Sequence, residues 1–193
     1  MYRLSFGTGG LYVQESQKLI LIYLNNSSWK DTVEEAVNTN LLQFSSSQST
    51  RRAAREICTR LKSLTPQELE NSPNFDPMDQ ALIAWLACCR TYKFIGDFST
   101  QVLIEKFSSF KLEMSHADFD FFCDEQKLFH KELEDLTDST EKKLRQILFR
   151  MMREAGFLTD DNRIVAGLAS QSLIDINNKG KRDLAYFVPG ADS

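Results

Sequence analysis

Lys142, Gln146, Arg150 and Arg153 recur every three or four residues, with Lys143 and Arg145 at the edges of the same side. That spacing puts them on one face of a helix. Lysine and arginine hold phosphate oxygens, and glutamine and arginine can also hydrogen-bond to base edges in a major groove. The elements needed to present them lie in the same stretch, Ser139 to Val165. Leu144, Ile147, Leu148, Met151 and Ala155 form an apolar stripe opposite the polar side, and Gly156 ends the helix. Phe157-Leu158-Thr159 and Arg163-Ile164-Val165 then flank Asp160-Asp161-Asn162, a loop able to close a small β-hairpin. A basic helix followed by a wing is the reading head of winged-helix proteins, with the helix in the major groove and the wing along the backbone. Arg163 would be the wing cation. A solvated helix face beside an unrelated hairpin is the plainer alternative.

A second basic stretch, Ser49 to Lys62, holds Arg51, Arg52, Arg55, Arg60 and Lys62 against Glu56 alone. Ala54, Ile57, Leu61 and Leu64 make its buried stripe, and Arg51, Arg52, Arg55 and Lys62 face away from it. The two stretches echo each other. Ser49-Thr50 answers Ser139-Thr140, Arg52 answers Lys142, Arg55 answers Arg145, Ile57 answers Ile147 and Arg60 answers Arg150. Hydroxyls, open amides and arginines near a helix start suit phosphate binding, which predicts a two-headed grip on double-stranded DNA. The formal net charge of −4 does not exclude this. Charge is segregated along the chain, with acids concentrated from Glu113 to Asp135, and local potential decides where a polyanion lands.

Other chemistry has little support. GxSxG, Walker, HExxH and glycine-rich fingerprints are all missing, and His116 and His130 have no nucleophile nearby in sequence. An enzyme is therefore not expected, nor a cofactor. Cys58, Cys88, Cys89 and Cys123 show no CxxC spacing and read as reduced core residues, which fits a cytoplasmic location. His116, Asp120, Cys123 and His130 match no zinc pattern, so no metal is expected. Gly9-Gly10 could present amides to an anion, though a flexible connection is the simpler reading. No signal peptide is evident, and the longest apolar run, Ala81 to Cys89, is too short to span a bilayer.

The elements predicted around these residues give an all-α fold with one small C-terminal β-hairpin. Helices are expected over about Leu11–Leu24, from Ser28 to about Leu42, from Ser49, from Thr65-Pro66, over Asp79–Tyr92 and Phe94–Phe110, from Ser115 to near Phe129, and over the winged segment, with a last turn in Asp183–Phe187. Phe44–Gln48 reads as a linker. The loop Asn71–Pro77 divides the chain into two helical subdomains, residues 1–73 with the first basic helix and residues 74–193 with the winged-helix-like segment 139–165. The helices around Trp85 and Phe98, apolar almost all round, should form the centre.

Several stretches together resemble the BrxA family, small components of BREX bacteriophage-defence systems. They are LSFGTGGLYVQES from Leu4, NLLQ from Asn40, REICTRLKSLTPQEL from Arg55, AWLACCRTYKFIGDF from Ala84 and KLRQILFRMMREAGFL from Lys143. The likeness spans nearly the whole chain in order. It implies an all-α, two-part protein that binds double-stranded DNA beside a methyltransferase, an ATPase and a phosphatase-like protein. After NLLQ this chain carries Phe44-Ser45-Ser46, where the resemblance implies basic or threonine residues. The alternative role, on the charge pattern alone, is an assembly adaptor whose basic helices dock acidic partner proteins.

Overall fold

The computed structural model describes residues 1–7, 9–177 and 183–187. It is mostly helical, as the periodicity predicts. Helix α1 (Val13–Asn26) begins after Tyr12 and not at Leu11, because Tyr12 sits in the left-handed region at φ 60°. Helix α2 (Trp29–Asn38) is capped by Ser28, whose hydroxyl accepts the Asp31 amide at 3.3 Å. It stops short of Leu42 because Asn40 and Gln43 turn left-handed, at φ 46° and 56°. Helix α3 (Ser47–Leu61) starts inside the expected linker, where Ser46 caps the Ser49 amide at 3.1 Å. Helix α4 (Pro66–Asn71) opens with a reciprocal Thr65–Glu68 capping box. A 3₁₀ turn, Ser72–Asn74, leads into α5 (Pro77–Thr91), whose first amides are taken by Asp76.

Every residue of α5 from Ala81 to Cys89 is buried. Such a helix has no side to give to water, so others must surround it. α1 and α3 pack against it from one half of the chain. From the other half it is contacted by α6 (Lys93–Phe98) and α10 (Asp138–Glu154). Both basic helices thus rest on one apolar spine. Trp85 is fully buried, edge-on to Phe157 at 5.5 Å, and its Nε1 donates to the Tyr186 carbonyl at 3.0 Å.

The helix expected over Phe94–Phe110 is interrupted. After α6 comes a π turn, Ser99–Leu103, and then α7 (Ile104–Ser108). Phe98 and Leu103, five positions apart, are both fully buried. In a regular α-helix they would diverge, and the wider turn brings both inward. The buried Ser99 hydroxyl donates to the same Tyr186 carbonyl, at 3.0 Å.

Helix α8 (His116–Lys127) begins with the Ser115–Asp118 capping box, and a short α9 (Lys131–Glu134) lies where no element was expected. Thr137 caps α10, two residues before the expected Ser139 start, and Gly156 at φ 77° ends it. β pairing is minimal. Leu158 and Ile164 form one antiparallel bridge, and Glu113 and Arg163 another. No longer strand ladder occurs among the described residues. Helix α11 (Gln171–Asn177) was not expected either; the amide of Ser170, preceding it, donates to the buried Asp79 carboxylate at 3.0 Å. Asp183–Tyr186 makes the expected last turn, in 3₁₀ form. Buried side chains from residues 1–73 and 74–193 join one hydrophobic cluster.

Candidate nucleic-acid interface

Helix α10 is anchored on more than the predicted stripe. Leu144, Leu148, Met151 and Ala155 are buried and Ile147 is half-buried, but Phe149 and Met152 are buried as well. Beyond Asp138 and Thr140 in its first turn, what remains outside is a narrow ridge of Ser139, Lys142, Lys143, Gln146 and Arg150, all exposed. Arg145 and Arg153 leave this ridge. Arg145 Nη1 meets both carboxylate oxygens of Asp120 on α8, at 2.5 and 2.6 Å. Arg153 donates to Asn162 Oδ1 at 2.7 Å and so ties the helix to the turn that follows it. Arg150 Nε pairs with Glu154 one helical turn on, at 2.7 Å, while the guanidinium stays largely exposed.

Half of the acidic stretch beside α10 is engaged internally. Asp120 holds Arg145, and Lys127 links Asp124 at 2.8 Å to Glu141 of α10 at 3.1 Å. Asp118 pairs with Lys106 at 2.7 Å. Burial pushes the Asp118 carboxyl upward, but its bonds to Lys106 and Ser115 outweigh that and hold it below the usual carboxylate range. The acids next to the ridge are thereby partly neutralised, which leaves Lys142 and Lys143 exposed and without a carboxylate partner among the described residues.

Helix α3 sorts its cations in the same way. Arg52, Arg55 and Lys62 are exposed and make no salt bridge among the described residues, although Arg55 stands near enough to Glu34 to help hold that carboxyl low. Arg51 is doubly bonded to Glu34 of α2, and this hydrogen bonding holds the Glu34 carboxyl below its ordinary range. Arg52 and Arg55, with Arg51, Arg3, Ser5 and Gln48, line an open groove of ≈ 520 Å³. Arg163 is exposed in a second hollow with Lys106, Lys111 and Phe110.

The echo between the two helices breaks at Arg60. Its side chain is 3% exposed, donates to Glu56 at 3.0 Å and to the Gly10 carbonyl at 2.8 Å, and lies 5.7 Å from the ring centres of Tyr12 and Tyr92. Arg60 is a core residue, whereas its counterpart Arg150 is on the surface. The Gly9-Gly10 turn also finds its anion within the chain: the Leu11 amide donates to Glu154.

The imagined metal ligands are occupied separately. His116 lies edge-on to Phe149 at 5.1 Å, Asp120 holds Arg145, and His130 stacks on Tyr2 at 3.8 Å. Among the described residues no group of His, Cys, Asp and Glu could hold a metal ion, and no helix is long and apolar enough to cross a membrane. All four cysteines are buried and unbridged. Sequence reasoning missed Arg3 and Lys111 as members of the two cationic hollows. For Arg3 a signal existed in the alternation Tyr2-Arg3-Leu4-Ser5-Phe6, whose aromatic positions face inward and whose odd positions face outward.

The BrxA family model matches residues 1–179. A protein of Bacillus cereus (strain H3081.97), "BREX protein BrxA", is 22% identical over 158 residues, covering 82% of this chain and 79% of that protein. Another of the same name, from Paramagnetospirillum magneticum (strain ATCC 700264 / AMB-1), is 24% identical over 164 residues, covering 82% and 80%. A crystal structure of an uncharacterized protein from Magnetospirillum magneticum superposes with a TM-score of 0.79 at 19% identity, over 97% of this chain and 98% of that one. That likeness establishes the fold alone.

Proposed function

The chain belongs to the BrxA family, and from that premise we propose that it is a non-enzymatic subunit of a BREX defence system that binds double-stranded DNA with little sequence preference. The observation that carries this reading is the sorting of cations on α3 and α10. Arginines with a structural task are paired or buried, while Arg52, Arg55, Lys62, Lys142 and Lys143 face solvent without a salt bridge among the described residues. Unpaired cations on a helix face hold phosphate backbones through counterion release. In this reading residues 1–73 and 74–193 each contribute one basic helix, and the partners are DNA and the other BREX components, in the cytoplasm.

The winged-helix interpretation draws support from chain order. Residues 112–114, α8, α10 and the paired residues 157–159 and 163–165 run in the order that a strand, helix, recognition helix and wing would take, with the short α9 between α8 and α10. The Glu113–Arg163 and Leu158–Ile164 bridges join the corresponding segments. Ile164 donates to the Leu112 carbonyl at 2.7 Å, and Met114 to that of Asn162 at 3.0 Å.

A second reading, an adaptor whose basic faces dock acidic partner proteins, is favoured by exposed apolar side chains. Phe110 is 88% exposed beside Lys111 and Arg163, and Phe121, Leu128 and Phe129 are exposed at α8 and its end. Fluorescence anisotropy with unrelated duplexes, in the absence of partners, separates the two. The DNA reading expects binding that weakens with salt. It also expects a slope of log K against log salt that flattens by about 0.9 for each phosphate contact removed in Arg52→Ala/Arg55→Ala or Lys142→Ala/Lys143→Ala. Wild-type protein without salt-dependent duplex binding would leave the adaptor reading standing.

A further inference from the structure

The first six residues form a strap whose alternating side chains serve two surfaces. Tyr2 and Phe6 are buried, while Arg3 and Ser5 are exposed. The strap is fixed at both ends. The Tyr2 hydroxyl bonds Asp97 of α6 at 2.7 Å and Gln126 of α8 at 2.8 Å. Phe6 packs between Tyr92 and Phe94, at 5.5 and 5.9 Å. With the inward residues held in this way, the outward ones have one place to go: Arg3 and Ser5 form a wall of the groove whose other wall is Arg51, Arg52 and Arg55 of α3.

We propose that Arg3 is a phosphate-contacting residue and that the N-terminal strap and α3 together hold one stretch of nucleic-acid backbone. Arg3 Nε donates to Ser5 Oγ at 2.8 Å, which fixes the side chain and leaves the terminal guanidinium nitrogens for a ligand. Its charge stands 5.6 Å from the Tyr92 ring centre, a second restraint that uses no hydrogen-bonding group. Among the described residues lining the groove the one carboxylate, Glu56, is bound to Arg60 and to the Tyr92 hydroxyl, so it does not compete for Arg3. Guanidinium groups converging from two elements onto an open groove suit a phosphodiester, because planar forks meet its two free oxygens. This deepens the DNA reading of α3 and rests on it.

The test uses the full chain with Arg3→Ala, Arg3→Lys and Arg52→Ala/Arg55→Ala, titrated against a labelled random-sequence duplex between about 50 and about 200 mM salt. Arg3→Ala is expected to melt as the wild type does, to bind more weakly, and to flatten the salt slope by about 0.9, a change of about 3.5-fold in relative affinity across that fourfold range. Arg3→Lys should keep the slope. If Arg3→Ala retains the full slope while Arg52→Ala/Arg55→Ala flattens it, the strap is not part of the grip and the inference fails, with the α3 reading intact. If the wild type itself shows no salt-dependent binding, the DNA reading fails and takes the inference with it.

Discussion

Replacing Arg60 by methionine should unfold the protein much more readily, although Arg60 belongs to a basic helix. The guanidinium bonds Glu56 and the Gly10 carbonyl and lies between the rings of Tyr12 and Tyr92. Methionine keeps much of the apolar volume, so cavity formation contributes little. What is lost is the counter-charge of Glu56, whose side chain is only 13% exposed and which would keep the Tyr92 hydroxyl as its remaining side-chain partner. Removing one member of a buried pair costs about 3–5 kcal/mol, because the other charge is left uncompensated. For a chain of this size each kcal/mol lowers the melting temperature by about 2–4 °C, giving an expected drop of roughly 6–20 °C. Adding Glu56→Gln removes the stranded charge and should recover a large part of the loss. Urea denaturation followed by far-ultraviolet circular dichroism measures all three proteins. An unchanged midpoint in Arg60→Met, or a double variant no better than the single one, would refute the reasoning.

Trp85→Ala should cost about 3–5 kcal/mol and remove one of the two side-chain donors to the Tyr186 carbonyl; an unaltered guanidinium midpoint would show that α5 is not the spine. Arg145→Ala should lower stability by about 0.5–1 kcal/mol, its partner Asp120 being 46% exposed, and leave the DNA salt slope unchanged, whereas a flattened slope would return Arg145 to the contact surface. Arg163→Ala should weaken binding to all duplexes equally and Gln146→Ala should change little, with overall discrimination below about 10³-fold; selection of one motif from random duplexes, lost in Gln146→Ala, would contradict this. Burial pushes the Cys58 and Cys123 thiols up to about 12. The unfolded chain therefore loses these protons first, and stability should fall as pH rises from the ordinary thiol range toward 12. Asp118 works at the other end of the scale: its depressed carboxyl adds stability above its unfolded value, lost as pH falls through the folded one. Chemical denaturation midpoints across pH check both, and a flat alkaline limb would exclude the thiol effect.

The sequence was most legible where structure is decided within one turn of chain. The caps at Ser28, Thr65 and Ser115 depend on a hydroxyl and an amide three residues away, and each forms as expected. The apolar continuity of Ala81–Cys89 likewise identified the centre. The π turn could not be anticipated, because it answers to a carbonyl at Tyr186, far along the chain. Arg60 was read only as the counterpart of Arg150 and not among the cations facing away from the stripe; its contacts with Gly10, Glu56 and Tyr92 are what make it a core residue. The ion pairs of Arg51 and Arg145 were hidden from the sequence for a related reason. Periodicity says which side of a helix is polar but not which polar side chain will meet a carboxylate on the next helix. The left-handed residues Tyr12, Asn40 and Gln43 trimmed helix ends that hydrophobic spacing alone would have extended.

Gly10 and Leu11 are consecutive, yet the carbonyl of the first is held by Arg60 of α3 and the amide of the second by Glu154 of α10. Neighbouring Cα atoms are about 3.8 Å apart and that distance does not stretch. The two basic helices are therefore gauged against each other like the jaws of a caliper locked at one setting. On the DNA-binding reading, a duplex touching both jaws would have to conform to their setting, and the work of bending or twisting would fall on the DNA and not on the protein. Flexible pyrimidine–purine steps would then be favoured at positions that no side chain reads.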